Sequence, residues 1–332
     1  MATIYEVSKL AGVSLATVSR VMNKNTRVSE KTRKKVQDAM DQLGYRPNSI
    51  AQSLASNRSN SIGILVSELH GPFFGQMMSG IESELRAAGK HVIITTGHSE
   101  QEKEIDGIEF LLSRNCDALI LHVEAVSDEY LIELSKKSTP IFIMSRYVEN
   151  LKDRCISLNN EMGGYLATKT LIEKGHSAIG FIGGPEFKAD SRSRLQGHRR
   201  ALKEFNLPFD DKLYFEGDFK ETGGIAGLRT LIKNNDQLTA LACANDEMAS
   251  GAMKYAREHG YNLPEGLSII GFDNIIYASY LYPTLTTIHN PIYEMGHMAA
   301  KLALKSVYNV KNLKIQNIFE PTVIERNSVG SV

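Results

Sequence analysis

Polar and charged side chains directly follow three short apolar runs in the body of the chain. They are Ser145 and Arg146, Asn245 and Asp246, and Asp273 and Asn274. Carboxylate and amide groups hydrogen-bond to neighbouring hydroxyls, and a guanidinium donates in a fixed fork. Ligands of open α/β sheets bind beyond the carboxyl ends of the strands, so we expect a polar ligand site at these positions. We expect Asp246 to cap the helix that follows it, because aspartate favours that position.

A second set of chemically suited residues lies near the N-terminus, on a short helix opened by Ser14. Val18 and Val21 of this helix point toward a core, and its outward side carries Leu15, Ala16, Ser19 and Arg20. The arginine fork matches the acceptor pair of guanine, and the apolar side chains suit a thymine methyl group. This arrangement predicts a surface that reads base edges in the major groove of DNA.

Neighbouring helices must hold that surface in place. Thr3 caps a predicted helix from Ile4 to Ala11, with Glu6 at capping-box spacing. The apolar spacing assigns this helix a buried face of Val7, Leu10 and Ala11. Gly12 lies in the tight turn before the second helix, and a third helix spans 30–43, between the cap Ser29 and the stop signal Gly44. The pattern predicts a helix-turn-helix, although it also begins some helical bundles.

The charge distribution favours DNA binding by the N-terminal segment. Residues 1–60 carry ten Lys or Arg against four acids, a net charge of +6, whereas the remainder carries −6 and the whole chain is neutral. A basic head on an acidic body is typical of a chain in which only the head meets phosphate. The cluster Lys31, Arg33, Lys34 and Lys35 either contacts phosphate or forms a solvated helix face.

Several classes of protein lack support in the sequence. Cys116, Cys155 and Cys243 are too few and too scattered for a disulfide framework or a zinc site. There is no phosphate-binding loop, dinucleotide fingerprint, nucleophile elbow or metalloprotease motif. There is also no run of about 18 apolar residues and no secretory signal. We therefore expect a cytoplasmic protein with no catalytic activity, cofactor, metal or membrane partner.

From residue 61 onward, short apolar runs alternate with helical stretches. The predicted strands are 62–66, 92–95, 118–121, 141–144, 155–158, 179–182, 213–215, 240–243 and 268–272. A last helix near 293–307 and a segment from 315 to 324 close the chain. This alternation predicts parallel sheets with helices on both faces. Because the pattern fills two successive halves, we predict two similar lobes with a cleft between them.

The order of these parts resembles the LacI/GalR family of bacterial repressors over essentially the whole chain. The matching motifs are Ala11-Gly12-Val13-Ser14, Ala16-Thr17-Val18-Ser19-Arg20-Val21, Gly44-Tyr45-Arg46-Pro47-Asn48 and Ala51-Gln52-Ser53-Leu54-Ala55. Three further runs, 73–75, 115–119 and 244–248, look most like the galactose-repressor subgroup.

This resemblance implies a small all-α helix-turn-helix head and a two-lobed, periplasmic-binding-protein-like α/β body with parallel sheets. The implied domains are a head at 1–46, a hinge helix and linker at 47–60, and an effector-binding and dimerisation body at 61–332. The N-lobe would comprise about 61–158 and 292–322, and the C-lobe about 162–288 and 323–332. The hinge helix is too short to be stable alone, so we expect it to fold on binding.

Site residues also follow from the resemblance. The implied DNA contacts are Thr3, Ser14, Leu15, Ala16, Thr17, Ser19, Arg20, Asn23, Tyr45, Asn48, Ala51, Leu54 and Ala55, with Leu54 as a wedge in the minor groove. The implied effector contacts are Phe73, Phe74, His122, Ser145, Arg194, Phe219, Asn245, Asp273 and Asn290. Structural alternatives remain: His122 and the phenylalanines as core residues, Asp273 as a cap, and Arg194 as a surface partner of Asp190.

We therefore predict a homodimeric transcriptional repressor that binds double-stranded operator DNA and is controlled by a small sugar. Galactose or a related hexose or glycoside is the favoured effector, and a purine-responsive regulator of the same fold is the alternative. A periplasmic sugar-binding protein would share the two lobes but has no use for residues 1–60. An α/β enzyme would need a nucleophile, a cofactor loop or a metal cluster, and we find none.

Overall fold

The computed structural model describes residues 2–22, 28–46, 58–235 and 237–332. The chain divides into two compact units, Met1–Asn60 and Ser61–Val332. The predicted positions Asn23, Asn48, Ala51, Leu54 and Ala55 lie outside the described residues.

The first unit contains helices α1 (Ile4–Ala11), α2 (Leu15–Met22) and α3 (Glu30–Leu43). Thr3 and Glu6 form the predicted capping box, and Gly12 ends α1 with a left-handed φ of 62°. The core of this unit consists of Val7, Ala11, Val18, Val21, Val36, Ala39 and Met40. The prediction for Leu10 was wrong: it is 46% exposed, because this small core covers only the stripe of α1 that carries Val7 and Ala11.

Two six-stranded sheets of the same design form the second unit. The first sheet contains β1 (Ser61–Val66), β2 (His91–Thr96), β3 (Ala118–Leu121), β4 (Ile141–Met144), β5 (Cys155–Leu158) and β11 (Ile318–Phe319), in the order β11-β5-β4-β3-β1-β2. The second contains β6 (Ile179–Gly183), β7 (Tyr214–Glu216), β8 (Ala240–Cys243), β9 (Ser268–Asp273), β10 (Thr286–His289) and β12 (Thr322–Ile324), in the order β12-β10-β9-β8-β6-β7. Neighbouring strands are parallel, except that β12 runs antiparallel to β10. The predicted fold class is therefore confirmed.

Helices cover both sheets. The N-lobe, built on the first sheet, carries α4 (Pro72–Ala87), α5 (Gln101–Ser113), α6 (Asp128–Leu134) and α11 (Ile292–Tyr308). The C-lobe, built on the second sheet, carries α7 (Asn160–Glu173), α8 (Ala189–Glu204), α9 (Glu221–Asn234) and α10 (Asp246–Glu258). Short 3-10 turns occur at Glu149–Arg154, Asp211–Leu213 and Ile276–Ser279. The chain passes between the lobes after β5, after β10 and after β11.

Strand β10 is an element that the sequence pattern did not predict. Its sequence, Thr-Thr-Ile-His, contains one strongly apolar residue. Thr286 and Thr287 are nevertheless buried, because their hydroxyls bond to the backbone N–H of Arg326 and to the Asp246 carboxylate. Satisfied hydroxyls allow threonine to occupy a core position that apolar periodicity does not predict.

The described helices include none with the length and apolar character needed to cross a lipid bilayer. The three cysteines are buried and unbridged.

Candidate functional site

The exposed side of α2 carries the predicted base-reading residues of the head. Ser14 opens this helix, since its hydroxyl accepts a hydrogen bond from the Thr17 backbone N–H at 3.2 Å. The exposed side chains here are Ser14, Leu15, Ala16, Ser19 and Arg20. Thr17 is half-buried, and Tyr45 packs against the head core. Val18 and Val21 are buried on the opposite side, so the exposed and buried sides of α2 are separated as predicted.

The nine predicted effector residues all line one cleft between the two lobes of the body. Phe73 and Phe74 lie in the first turn of α4, Arg194 lies within α8, and Asp273 is the last residue of β9. The others follow strands or precede helices: His122, Ser145, Phe219, Asn245 and Asn290. The cleft encloses about 940 Å³, a volume that includes the solvent at its open mouth. The carboxyl ends of the parallel strands therefore meet where sheet topology predicts a ligand.

Arg194 is a buried cation with an orientation fixed by its neighbours. It is 4% exposed, its Nε donates to Asn160 Oδ1 at 2.9 Å, and its Nη1 donates to the carbonyl of Ala244. Its Nη2 lies 3.6 Å from Asp273 Oδ1 and 3.8 Å from Asp190 Oδ2. The guanidinium also stacks 3.7 Å from the ring centroid of Phe272. The structure therefore excludes the alternative of a surface pair with Asp190 alone.

Asp273 accepts hydrogen bonds in an unusual environment. Burial raises the pKa of its carboxyl to about 6, and the nearby Arg194 guanidinium and the bond from Asn290 only partly oppose that rise. Asn290 Nδ2 donates to Asp273 Oδ1 at 3.1 Å. Above pH 6, this carboxylate has both a charge partner and an amide donor.

Three of the predicted effector residues have a left-handed backbone conformation. Asp273, Ser145 and Phe219 have φ angles of 104°, 61° and 65°, in the left-handed region that non-glycine residues rarely adopt. Such conformations persist where the surrounding structure enforces them, and they cluster at ligand sites.

Two buried polar atoms of the cleft have no hydrogen-bonding partner within the described residues. They are Ser145 Oγ and Asn290 Oδ1. Buried polar atoms in folded proteins are normally paired. These two oxygens are therefore available to a ligand in the cleft.

Aromatic side chains line the same cleft as the polar groups. The rings of Phe73 and Phe74 meet edge to face with centroids 5.3 Å apart, and Phe74 meets His122 at 5.5 Å in the same manner. His122 is buried and its Nδ1 hydrogen-bonds with Ser67 Oγ at 3.3 Å. Phe219 contributes a further ring, 5.4 Å from the ammonium of Lys188. The cleft thus offers both apolar faces and oriented polar groups.

An ion pair that the sequence did not predict joins the two lobes at this cleft. Lys188 Nζ of the C-lobe lies 2.7 Å from Glu124 Oε2 of the N-lobe, and Ser99 and Ser67 also donate to that carboxylate. Burial alone would raise the pKa of Glu124, but His122, Lys188 and Ser99 together lower it below its usual value. Glu124 lies just beyond β3, so the rule that residues after strand ends line a ligand site could have identified it. Lys188 lies in a loop that precedes a helix, where that rule gives no prediction.

A buried carboxylate holds the Glu124 loop in place. Both oxygens of Glu104, a fully buried residue of α5, accept hydrogen bonds from the backbone N–H groups of 124–126 at 2.8 to 3.1 Å. Charge-assisted bonds of this kind are about twice as strong as neutral ones. Glu104 therefore positions the loop that carries half of the interlobe ion pair.

The predicted role of Asp246 was wrong. Asn245 caps α10, because its Oδ1 accepts from the Met248 backbone N–H at 2.9 Å and its Nδ2 donates to the Phe219 carbonyl. Asp246 is fully buried and accepts from the Ile275 backbone N–H and the Thr287 hydroxyl. It thereby supports the turn after β9, next to Asp273.

Comparison with known proteins agrees with this architecture. Residues 3–48 match the bacterial regulatory proteins of the lacI family, and residues 168–329 match the periplasmic binding protein-like domain. The chain is 38% identical to the HTH-type transcriptional regulator GalR of Escherichia coli K12 over 331 residues, covering 100% of this chain and 96% of that protein. It is 37% identical to the HTH-type transcriptional repressor PurR of Aliivibrio salmonicida over 332 residues, covering 99% of each.

Solved structures are similar over the same length. The lac repressor dimer bound to operator and the anti-inducer ONPF matches with a TM-score of 0.87 and 28% identity, covering 99% of each chain. The complex of the transcriptional regulator CelR with cellobiose matches with a TM-score of 0.73 and 28% identity, covering 99% of this chain and 100% of that one. Identity above 30% over the full length of these regulators, together with the matched head, shows the family of this chain. The chain belongs to the lacI family of bacterial regulatory proteins and is a DNA-binding transcriptional regulator.

Proposed function

We propose that this regulator is a homodimeric repressor of sugar utilisation whose body binds a neutral hexose or glycoside, with galactose as the first candidate. The head at 1–46 and the hinge at 47–60 bind operator DNA, and the body at 61–332 binds the effector and forms the dimer. Within the head, Leu15, Ala16 and Arg20 read base edges, and Thr17 and Tyr45 position the helix on the DNA backbone.

The observation that carries the sugar assignment is the polar network around Arg194. Its guanidinium, the Asp273 carboxylate and the Asn290 amide are adjacent and oriented by one another. Ser145 Oγ and Asn290 Oδ1 add two unpartnered buried oxygens in the same cleft. A set that mixes donors and acceptors suits the vicinal hydroxyls of a pyranose, each of which both donates and accepts. The phenylalanines supply surfaces for the apolar C–H side of the ring.

A purine effector is the second candidate. It is favoured by the nearly equal identity of the chain to GalR and PurR and by the aromatic rings of the cleft. A flat base stacks best between parallel faces, whereas Phe73 and Phe74 are inclined at 88° to each other. The cleft also contains many charged and hydroxyl groups, and a purine base offers few exocyclic groups with which to hydrogen-bond to them. The geometry therefore supports a sugar better than a purine.

Exposed aromatic residues on the C-lobe support dimerisation. Tyr280 and Tyr282 are 75% and 84% exposed, and Ile276 and Tyr277 beside them are also exposed. Clustered exposed apolar side chains commonly mark a protein interface. We assign this patch, Ile276, Tyr277, Tyr280 and Tyr282, to the contact between protomers.

Calorimetry with D-galactose, D-glucose and hypoxanthine tests the effector assignment. Binding of a hexose, lost in the Asp273→Ala variant, is the expected result. If hypoxanthine binds and neither hexose does, the effector is a purine and not a sugar. If Asp273→Ala leaves the hexose affinity unchanged, the sugar binds at a site that does not include Asp273.

A further inference from the structure

The segments that lead into the strands of the N-lobe sheet are rich in lysine and arginine. They are 88–90, 114–117, 135–140, 149–154 and 309–317. Together they carry eight basic residues against three acids, a net charge of +5, although residues 61–332 as a whole carry −6. The basic residues are Lys90, Arg114, Lys136, Lys137, Lys152, Arg154, Lys311 and Lys314. Because the strands of this sheet are parallel, the segments share the edge opposite to the effector cleft. We call this edge the basic face.

The C-lobe provides an internal comparison, because its sheet has the same design. The corresponding segments are 174–178, 205–213, 235–239, 259–267 and 274–285. They carry two basic residues against four acids, a net charge of −2. Two sheets of one design therefore have amino-end segments of opposite charge, so the fold itself does not require the basic face.

The cations of the basic face are accessible. Six of them are exposed: Arg114, Lys136, Lys137, Lys152, Lys311 and Lys314. Lys136 pairs with Glu133 at 2.6 Å and Lys137 with Glu109 at 3.4 Å, but exposed ion pairs contribute little because water and salt screen them. Lys311 and Lys314 lie in a segment that contains no acidic residue. An anion from outside the chain can therefore reach these side chains.

The basic face is also the edge at which the chain enters the body from the DNA-binding head. Ser61, the first residue of β1, accepts a hydrogen bond from the Asp117 backbone N–H at 2.8 Å. The Asp117 carboxylate accepts from the Tyr308 hydroxyl at 2.6 Å, and the Lys90 ammonium lies 3.8 Å from the centroid of the Tyr308 ring. These contacts hold segments 88–90 and 114–117, and the end of α11, beside Ser61.

We propose that the basic face contacts phosphates of the duplex that the head binds. DNA fits this face because it presents about one negative charge per 1.7 Å of its axis, whereas the body is otherwise acidic. Phosphate contacts add affinity and salt dependence without reading sequence. The N-lobe is then a second, sequence-independent DNA contact of the regulator. This inference rests on DNA binding by the family and is independent of the effector.

Fluorescence anisotropy of the full chain on a labelled duplex from its own promoter region, at several salt concentrations, tests the proposal. The double variant Lys311→Gln/Lys314→Gln should bind more weakly. The slope of log affinity against log salt concentration should become shallower by about 1 for each lysine that contacts a phosphate. The preference for this duplex over one of scrambled sequence should persist. The matched control, Lys174→Gln/Lys212→Gln, removes the same charge from the C-lobe segments and should change neither affinity nor slope.

DNA cleavage by a tethered iron chelate gives a second readout that does not depend on affinity. The three native thiols are buried, which raises their pKa values, so the reagent should attach at an introduced cysteine. The conjugate of Lys311→Cys should cut the bound duplex, and that of Lys212→Cys should leave it intact. An unchanged salt slope in Lys311→Gln/Lys314→Gln, equal losses in the two double variants, or no cutting by the Lys311→Cys conjugate would overturn the proposal.

Discussion

Arg194 of α8 and Asp273 at the end of β9 form a buried ion pair, with Nη2 and Oδ1 3.6 Å apart, in the cleft between the lobes. Each charge is poorly solvated, and each is oriented by a further polar partner, Asn160 for the guanidinium and Asn290 for the carboxylate. Burying charged groups is costly unless they are paired. The fold maintains this pair where a ligand would meet it, which is consistent with a binding role.

Arg194→Ala should weaken both the fold and the effector site. Removing one partner leaves a buried, uncompensated carboxylate, which typically costs about 3–5 kcal/mol. We expect the free energy of unfolding to fall by that order in urea denaturation, and effector binding to be lost. Lys203→Ala, an exposed position on the same helix, should change neither quantity. Equal stability of the two variants would show that the Arg194 pair is energetically unimportant.

Effector affinity should decrease at acidic pH through Asp273. Burial raises the pKa of this carboxyl to about 6, so it becomes protonated below that pH and no longer accepts hydroxyl hydrogen bonds as a carboxylate. From pH 7 to pH 5 the ionised fraction, and with it the association constant, falls about tenfold. Asp273→Asn should bind more weakly at pH 7 and lose this dependence. A wild-type affinity equal at both pH values in calorimetry would contradict the assignment.

The same carboxyl affects folding stability with the opposite sign. Because its folded-state pKa lies above its ordinary value of 3.8, the folded state holds the proton more tightly than the unfolded state. Its contribution to stability is therefore greatest below about pH 4, decreases as pH rises through about 6, and is lost above that. Urea denaturation of wild type and Asp273→Asn across this range measures the difference between their profiles. If the free energy of unfolding of the wild type increased relative to that of Asp273→Asn as the pH rises, the raised pKa of Asp273 would be contradicted.

Gly164→Ala should disturb the effector site indirectly, by displacing the helix that carries Arg194. A Cβ at Gly164 of α7 would lie 2.0 Å from the Arg194 carbonyl oxygen, so the two helices must separate. We expect a loss of about 1–3 kcal/mol in unfolding free energy, with weaker effector binding because Arg194 moves. Gly75→Ala is the control: it is also helical, its Cβ meets open space, and its stability should stay constant or rise by up to about 1 kcal/mol. Similar effects of both substitutions would point to backbone propensity instead of helix contact.

Tyr280→Asp and Tyr282→Asp should produce monomers. Both side chains are largely exposed within one protomer, and a carboxylate inside an apolar interface is costly to desolvate. Sedimentation velocity should show a species with half the mass of the dimer. Operator affinity should fall because the two heads are no longer joined and each binds its half-site separately. Phe110→Asp, an exposed aromatic of the N-lobe, should remain dimeric. Dimeric Tyr280→Asp and Tyr282→Asp variants would exclude this patch as the interface.

Much of the fold was predictable because its signals are local. The capping box of Thr3 and Glu6 and the left-handed turn at Gly12 are set by neighbouring residues, and helices α1 and α3 follow the predicted boundaries. Alternating apolar runs likewise predicted the parallel strands. Strand Thr286–His289 escaped prediction because the partners that satisfy its threonines, Asp246 and Arg326, are distant in sequence.

The positions of cleft residues were predictable where they follow a general rule of α/β sheets. The roles that depend on tertiary contacts were not predictable. Residues just beyond strand ends were expected to converge, and they do. Asn245 and Asp246 both favour capping positions, and only the contacts of Asp246 with Thr287 and Ile275 determine which one caps α10. The bond between Lys188 and Glu124 depends on how two lobes approach each other, which no local pattern encodes.

The measurement that tests the central claim most directly is fluorescence anisotropy of the full chain on a labelled duplex from its own promoter region. We predict affinity that falls linearly with the logarithm of salt concentration, that loses sequence preference in Arg20→Ala, and that changes by about 5- to 150-fold with saturating galactose or lactose. Absence of salt-sensitive duplex binding, or duplex affinity indifferent to a sugar that calorimetry shows to be bound, would contradict the account.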